Sequence, residues 1–129
     1  MILSLVHPAD LRKHWPRILG SLCVVRAKAK TDWIPEDVYH ALKSGAAACH
    51  VGEAGILITT LTRAEFSGEP ALHVWIAHST QDADVLEAGI PMLREMAKAA
   101  GVQRITFGSP RPGWAKRFPL ISATYEVPL

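Results

Sequence analysis

The sequence predicts an α+β domain in three layers, with helices on both faces of a mixed, mostly antiparallel central sheet. Three observations carry this. Apolar residues recur at helical spacing through Leu11, Trp15, Ile18, Leu19, Leu22 and Val25. Apolar or β-branched runs at 46–51, 55–63 and 71–77 are separated by glycine-bearing turns. A third stretch reads helix from Met92 to Ala100, stop at Gly101, buried strand at 103–107, then the turn Ser109-Pro-Arg-Pro-Gly-Trp114. Strand, helix and strand in that order form a crossover unit, and a site for an elongated ligand opens where such strands part.

Taken in order, 2–6 is a short strand ended by His7-Pro8. Pro16 suits a first helical turn, so the main part of the first helix is expected over 16–30 after a short lead-in. Arg26, Lys28 and Lys30 give its end the favourable charge sign. Pro35, Glu36 and Asp37 open a second helix with an apolar face of Val38, Ala41 and Leu42, and Gly45 stops it. Gly52-Glu-Ala-Gly55 joins the next two strands as a hairpin, and Ser67-Gly-Glu-Pro70 leads into a central strand at 71–77. Asp82 or Asp84 can cap the following helix, which Pro91 should bend or delay to a start near Ile90. One helical turn at 113–118 and a last strand at 120–127 complete the order βααβββαβ(α)β.

A chain of 129 residues, 49% hydrophobic and 20% charged, fits one domain spanning 1–129 with a core that needs no staples. Cys23 and Cys49 lie in apolar stretches without ligand spacing, which predicts buried free thiols in a reducing compartment. The opening Met1-Ile-Leu-Ser-Leu-Val6 is too short for a signal core, and no apolar run reaches the length of a membrane span. A cytoplasmic protein is expected. The net charge of +2 is too small to imply nucleic acid by itself.

Several pieces match a known family in sequence order. They are Trp15-Pro16, Trp33-Ile-Pro-Glu-Asp-Val-Tyr-His-Ala-Leu-Lys-Ser-Gly45, Gly55-Ile-Leu-Ile-Thr59, Met96-Ala-Lys-Ala-Ala-Gly-Val-Gln-Arg-Ile105 and Pro112-Gly-Trp-Ala-Lys116. With them, the chain from Leu11 to Val127 resembles the GNAT acetyltransferase superfamily, and most closely the small GNAT-like proteins of tailed phages and prophages. The pieces are patterns of packing and turns. The resemblance implies that acetyl-CoA binds where the fourth and fifth strands splay. Its pyrophosphate would then rest on an Arg/Gln-x-x-Gly-x-Gly/Ala loop at the next helix N-terminus. Carried over, the cofactor-binding positions are Ile76, Ala77, His78, Gln81, Asp82, Ala83 and Asp84. The stretch departs from that loop in having no glycine, and it sets Asp82 and Asp84 where phosphates would sit. Gln81 matches the first position of the motif.

The residues offer few other candidates for chemistry. His73 and His78 are five positions apart on one strand, so a regular strand points them to opposite faces, and His50 on a neighbouring strand could approach either. No metal spacing is present. His78, at the strand's C-terminal end, is the candidate general base. The Glu and Tyr that such enzymes commonly recruit are not matched. Glu65 and Glu69 fall in turns, Tyr125 falls on the last strand, and Trp114 reads as an aromatic covering the sheet edge. Arg104, Arg111, Lys116 and Arg117 interleave with Trp114 and Phe118, a pattern that can hold single-stranded nucleic acid. The favoured expectation is a phage or prophage accessory protein, degenerate in catalysis, that works through a protein partner or homo-oligomer or as a virion component. The alternatives are an acetyl-CoA-dependent N-acyltransferase and a nucleic-acid binder.

Overall fold

A computed structural model describes residues 3–80, 84–109 and 112–129. Strand β1 (Ser4–Val6) leads through a 3₁₀ turn, Pro8–Asp10, into helix α1 (Leu11–Lys28) and helix α2 (Pro35–Ser44). Strands β2 (Ala47–Gly52), β3 (Gly55–Arg63) and β4 (Pro70–Ser79) follow. Helix α3 (Val85–Ala100), strand β5 (Ile105–Phe107) and a 3₁₀ turn at Pro112–Lys116 complete the elements. The sheet runs β1-β2-β3-β4-β5, antiparallel throughout except for the parallel β4–β5 pair that α3 connects.

Two apolar clusters hold the layers together. Leu11, Ile18 and Leu22 of α1 and Val38 and Leu42 of α2 close over Cys49, Ile56, Ile58 and Ile76 on one face. On the other face Val85, Leu86, Leu93 and Ala97 of α3 close over Leu57, Leu72 and Val74. Alternation along β3, with Ile56 and Ile58 on one side and Leu57 on the other, is what lets one strand serve both cores. Helix α2 begins at Pro35, the Asp37 carboxylate accepts the Ile34 N–H, and Gly45 ends the helix at φ 83°. Gly101 does the same for α3 at φ 71°.

The structure corrects the sequence reading in four places. Pro16 lies inside α1, which already starts at Leu11, and Pro91 lies inside an unbroken α3 that starts at Val85. Each proline forfeits one amide bond on a solvent-facing side, and burial of Leu11 and of Val85 with Leu86 fixes the turns before them. Cys23 is exposed on the outer side of α1, whereas Cys49 is buried in the sheet and burial pushes its thiol up to about 12. The expected last strand at 120–127 does not form: the segment is exposed and unpaired, standing off from β5 and α3 across a chamber of about 1050 Å³.

Candidate functional site

The site grows out of one extra residue in β4. On the β3 side, Ile58 faces Ile76 and Thr59 faces Val74, so Trp75 is a bulge without a cross-strand partner. On the β5 side, pairing covers Leu72–Ile105, His73–Thr106 and Val74–Phe107 and then stops, while β4 continues to Ser79. Pairing with β5 thus ends at Val74–Phe107, where β5 itself ends, and β4 runs on past the bulge with Ile76 buried, Ala77 exposed and His78 half-buried.

The bulge also overturns the expected separation of the histidines. His73 pairs with Thr60 and His78 with Ile56, and those two β3 residues share a face, so both imidazoles lie on the α1–α2 side. They remain far apart along the strand, and each has its own partner: His73 Nδ1 meets Thr106 Oγ1 at 2.9 Å, and His78 Nδ1 meets Ser21 Oγ at 2.9 Å. His50 sits on β2, two strands from β4, opposite Leu57 on the α3 face, so it approaches neither. Its Nδ1 is buried without a hydrogen-bond partner. Among the described residues no cluster of three His, Cys, Asp or Glu side chains could hold a metal ion.

His78 has the chemistry of a base. Burial, and then the nearby Lys28 ammonium, lower its pKa below the ordinary 6.5, which leaves the ring neutral near pH 7. Nε2 makes no hydrogen bond and is not among the buried unpartnered atoms, so it is open to water. Ser21, buried within α1, fixes the ring through Nδ1. That contact is a residue the sequence reading missed. The signal was a lone serine on the apolar face of α1, visible only once β4 is placed beneath it.

The N-terminus of α3 is already satisfied from within. The Asp84 carboxylate accepts the amides of Leu86 at 3.0 Å and Glu87 at 3.3 Å. Ser79 Oγ accepts the Val85 amide at 3.0 Å, and the Asp84 carbonyl accepts that of Ala88 at 2.9 Å. The first turn thus presents a carboxylate and no free N–H, which does not fit a pyrophosphate. Gln81, Asp82 and Ala83 lie outside the described residues. At the turn before β3, Gly55 adopts φ 140°, and a Cβ there would stand 1.9 Å from the carbonyl oxygen of His78.

Past β5, an aromatic cluster closes the end of the sheet. Phe107 meets Trp114 with ring centres 5.2 Å apart and Phe118 at 5.8 Å. Arg117 lies over both Trp114 and Phe118 and grips Glu87 of α3 with two bonds of 2.7 and 2.6 Å. Arg104 approaches Glu69 at 3.9 Å, so two of the four cations of the expected basic face turn to carboxylates; Arg111 lies outside the described residues. Beside the cluster a chamber of about 1050 Å³ separates β5 and α3 from the C-terminal segment. Trp75 and Ile76, whose exposure would have marked a partner surface, are half-buried and buried. Among the described residues no helix is long and apolar enough to cross a membrane.

No protein-family model matches the sequence, and a search of curated proteins finds no match. Solved structures do match over nearly the whole chain. A ribosomal-protein-alanine N-acetyltransferase from Brucella melitensis biovar Abortus 2308 is 17% identical, with a TM-score of 0.63, covering 99% of this chain and 98% of that one. An acetyltransferase of Trypanosoma brucei is 14% identical, with a TM-score of 0.63 and 99% of each chain covered. An aminoglycoside acetyltransferase from an uncultured soil metagenomic sample, in complex with sisomicin, is 15% identical, with a TM-score of 0.63, covering 99% and 93%. Three helices packed on a five-stranded mixed sheet, with a bulged fourth strand that runs on past its pairing with a parallel fifth, give this chain the fold of the GNAT acetyltransferases.

Proposed function

We propose that this chain is an accessory protein of a phage or prophage that keeps the GNAT fold for protein contacts, in the host cytoplasm or on the virion, and has given up the cofactor grip. One observation carries the reading. The first turn of α3, where a pyrophosphate would need free amides, spends them on Asp84 and Ser79. The phage association rests on the packing pieces from Trp15 to Lys116 that resemble small phage GNAT-like proteins.

The test is a titration with acetyl-CoA, followed by thermal shift. A ligand at one hundred times its dissociation constant would stabilise the protein by about 2.7 kcal/mol, well within reach of a melting measurement. No shift at millimolar acetyl-CoA is the expected result. A dissociation constant tighter than roughly 100 µM, where millimolar ligand still gives a clear shift, would overturn it.

A second reading keeps an observation of its own. A neutral imidazole with a free Nε2, held by Ser21 on the stretch of β4 beyond its pairing with β5, suits removal of a proton from an amine. The chain would then be an N-acyltransferase that grips its donor elsewhere than on the first turn of α3. Acyl transfer that is lost in His78→Ala, with the fold intact by circular dichroism, would favour it.

A further inference from the structure

We propose that the outer face of α1 is a docking surface for an acidic helical segment of another protein. The inference rests on the reading of this chain as a contact protein and names the chemistry of its partner.

Helix α1 carries five cations, Arg12, Lys13, Arg17, Arg26 and Lys28, and no carboxylate. All five are exposed. The whole chain has a net charge of only +2, so the residues outside α1 are together acidic and the positive charge is gathered on one helix. Among the described residues the ion pairs belong to Arg104 and Arg117, and none of the five cations of α1 has a carboxylate of its own.

This arrangement works against the helix itself. Arg12 and Lys13 stand in the first turn, where the positive end of the helix dipole disfavours cations, and no acid is present there to offset them. Lys13 and Arg17 are four residues apart, a spacing at which like charges repel across one turn. Glutamate at position 12 or 13 would suit the fold better. An acidic partner relieves both strains at once, and that charge complementarity identifies it.

Helical periodicity sorts the exposed side into three strips. Arg12 and Arg26 fall on one flank, and Lys13, Arg17 and Lys28 on the other. Between them Pro16, Gly20, Cys23 and Ala27 carry neither charge nor a long side chain, and a Cβ at Gly20 would meet nothing within 4 Å. Helix axes close to about 8–10 Å where the facing side chains allow it. A partner helix lying along the middle strip would set carboxylates from its two sides against the two flanks. Other polyanions find less here. No ring on α1 is free for a base to stack on, because Trp15 packs inward against Tyr39 with ring centres 4.9 Å apart. Val24, 38% exposed, is the one large exposed apolar side chain of the helix, too little to enter a lipid surface.

Fluorescence anisotropy with the full chain tests this. The probe is a labelled helical peptide of about 18 residues, the length of α1, with glutamates on both sides of an alanine strip. A second peptide of the same composition carries its glutamates on one side only. The first should bind at low micromolar concentration, at least about tenfold tighter than the second, and should weaken with salt. Arg12→Glu with Lys13→Glu should cut that binding at least about tenfold while the melting temperature holds or rises, since acids then occupy the first turn. Gly20→Leu should cut it by a similar factor although it removes no charge, because the side chain fills the middle strip. No binding of the first peptide, or equal binding of both with Gly20→Leu indifferent, would overturn the proposal. So would tighter binding to duplex DNA or to phosphatidylserine vesicles, or self-association in sedimentation that these substitutions abolish. Acetyl-CoA binding, read by thermal shift without peptide, bears on the contact-protein reading alone, so the two can fail separately.

Discussion

At the scale of single residues, the imidazole of His50 holds the buried side-chain atom that, among the described residues, lacks a hydrogen-bond partner. It is buried on the α3 face with Nδ1 unpartnered, and burial holds its pKa below the ordinary 6.5. The unfolded chain takes up a proton below that value and the folded one does not, so this contribution to stability is full above pH 6.5 and is lost as pH falls toward the depressed folded value. His50→Leu should therefore stabilise the protein by about 1 kcal/mol near pH 7 and by more near pH 5, read from urea midpoints at the two pH values. Destabilisation at both would mean that a water or ligand satisfies Nδ1. Gly55 makes the opposite case. A Cβ there meets the backbone oxygen of His78, in a region of φ that other residues avoid, so nothing flexible can yield. Gly55→Ala should cost well over about 1 kcal/mol in chemical denaturation, and should broaden the environment of His78 in NMR spectra if any folded protein remains.

At the scale of elements, most of the fold was legible because local signals and burial agree. Pro35, Asp37 and Gly45 bracket α2, and Gly52 with Gly55 turns the β2–β3 hairpin. Where the reading failed, a partner that the local sequence does not name decided the outcome. Alternation at 120–127 specifies a strand, but the pattern does not name the edge that would pair with it, and the segment stands off from β5 instead. The bulge at Trp75 exists only as a mismatch of count between β3 and β4, so the faces of His73 and His78 could not be assigned from their spacing. The Ser21–His78 contact joins residues 57 positions apart and depends on that bulge. Pro16 and Pro91 were weighted too heavily, since packing on either side overrides one missing amide bond. Helix α1 still carries a plain weakness at Gly20, exposed and with nothing within 4 Å of where a Cβ would stand. Gly20→Ala should raise stability by about 0.5–1 kcal/mol, measured by denaturant titration, with spectra otherwise unchanged.

At the scale of the whole molecule, three imidazoles in separate places share one trend. Burial lowers the pKa of His50, His73 and His78 alike, and Lys28 adds to the effect at His78. Each is neutral in the folded chain where the unfolded chain would be charged, so global stability should decline steadily from pH 6.5 downward. Thermal melts at half-unit steps between pH 7.5 and 5 check this; a flat profile would show that these rings gain protons without loss of packing. The bulged strand has a further consequence for the chain beyond it. The extra residue shifts the phase of β4, so that Val74 serves one core and Ile76 the other. In a regular strand of the same sequence Ile76 and His78 would turn to the α3 face, and the imidazole would leave Ser21 for the opposite side of the sheet.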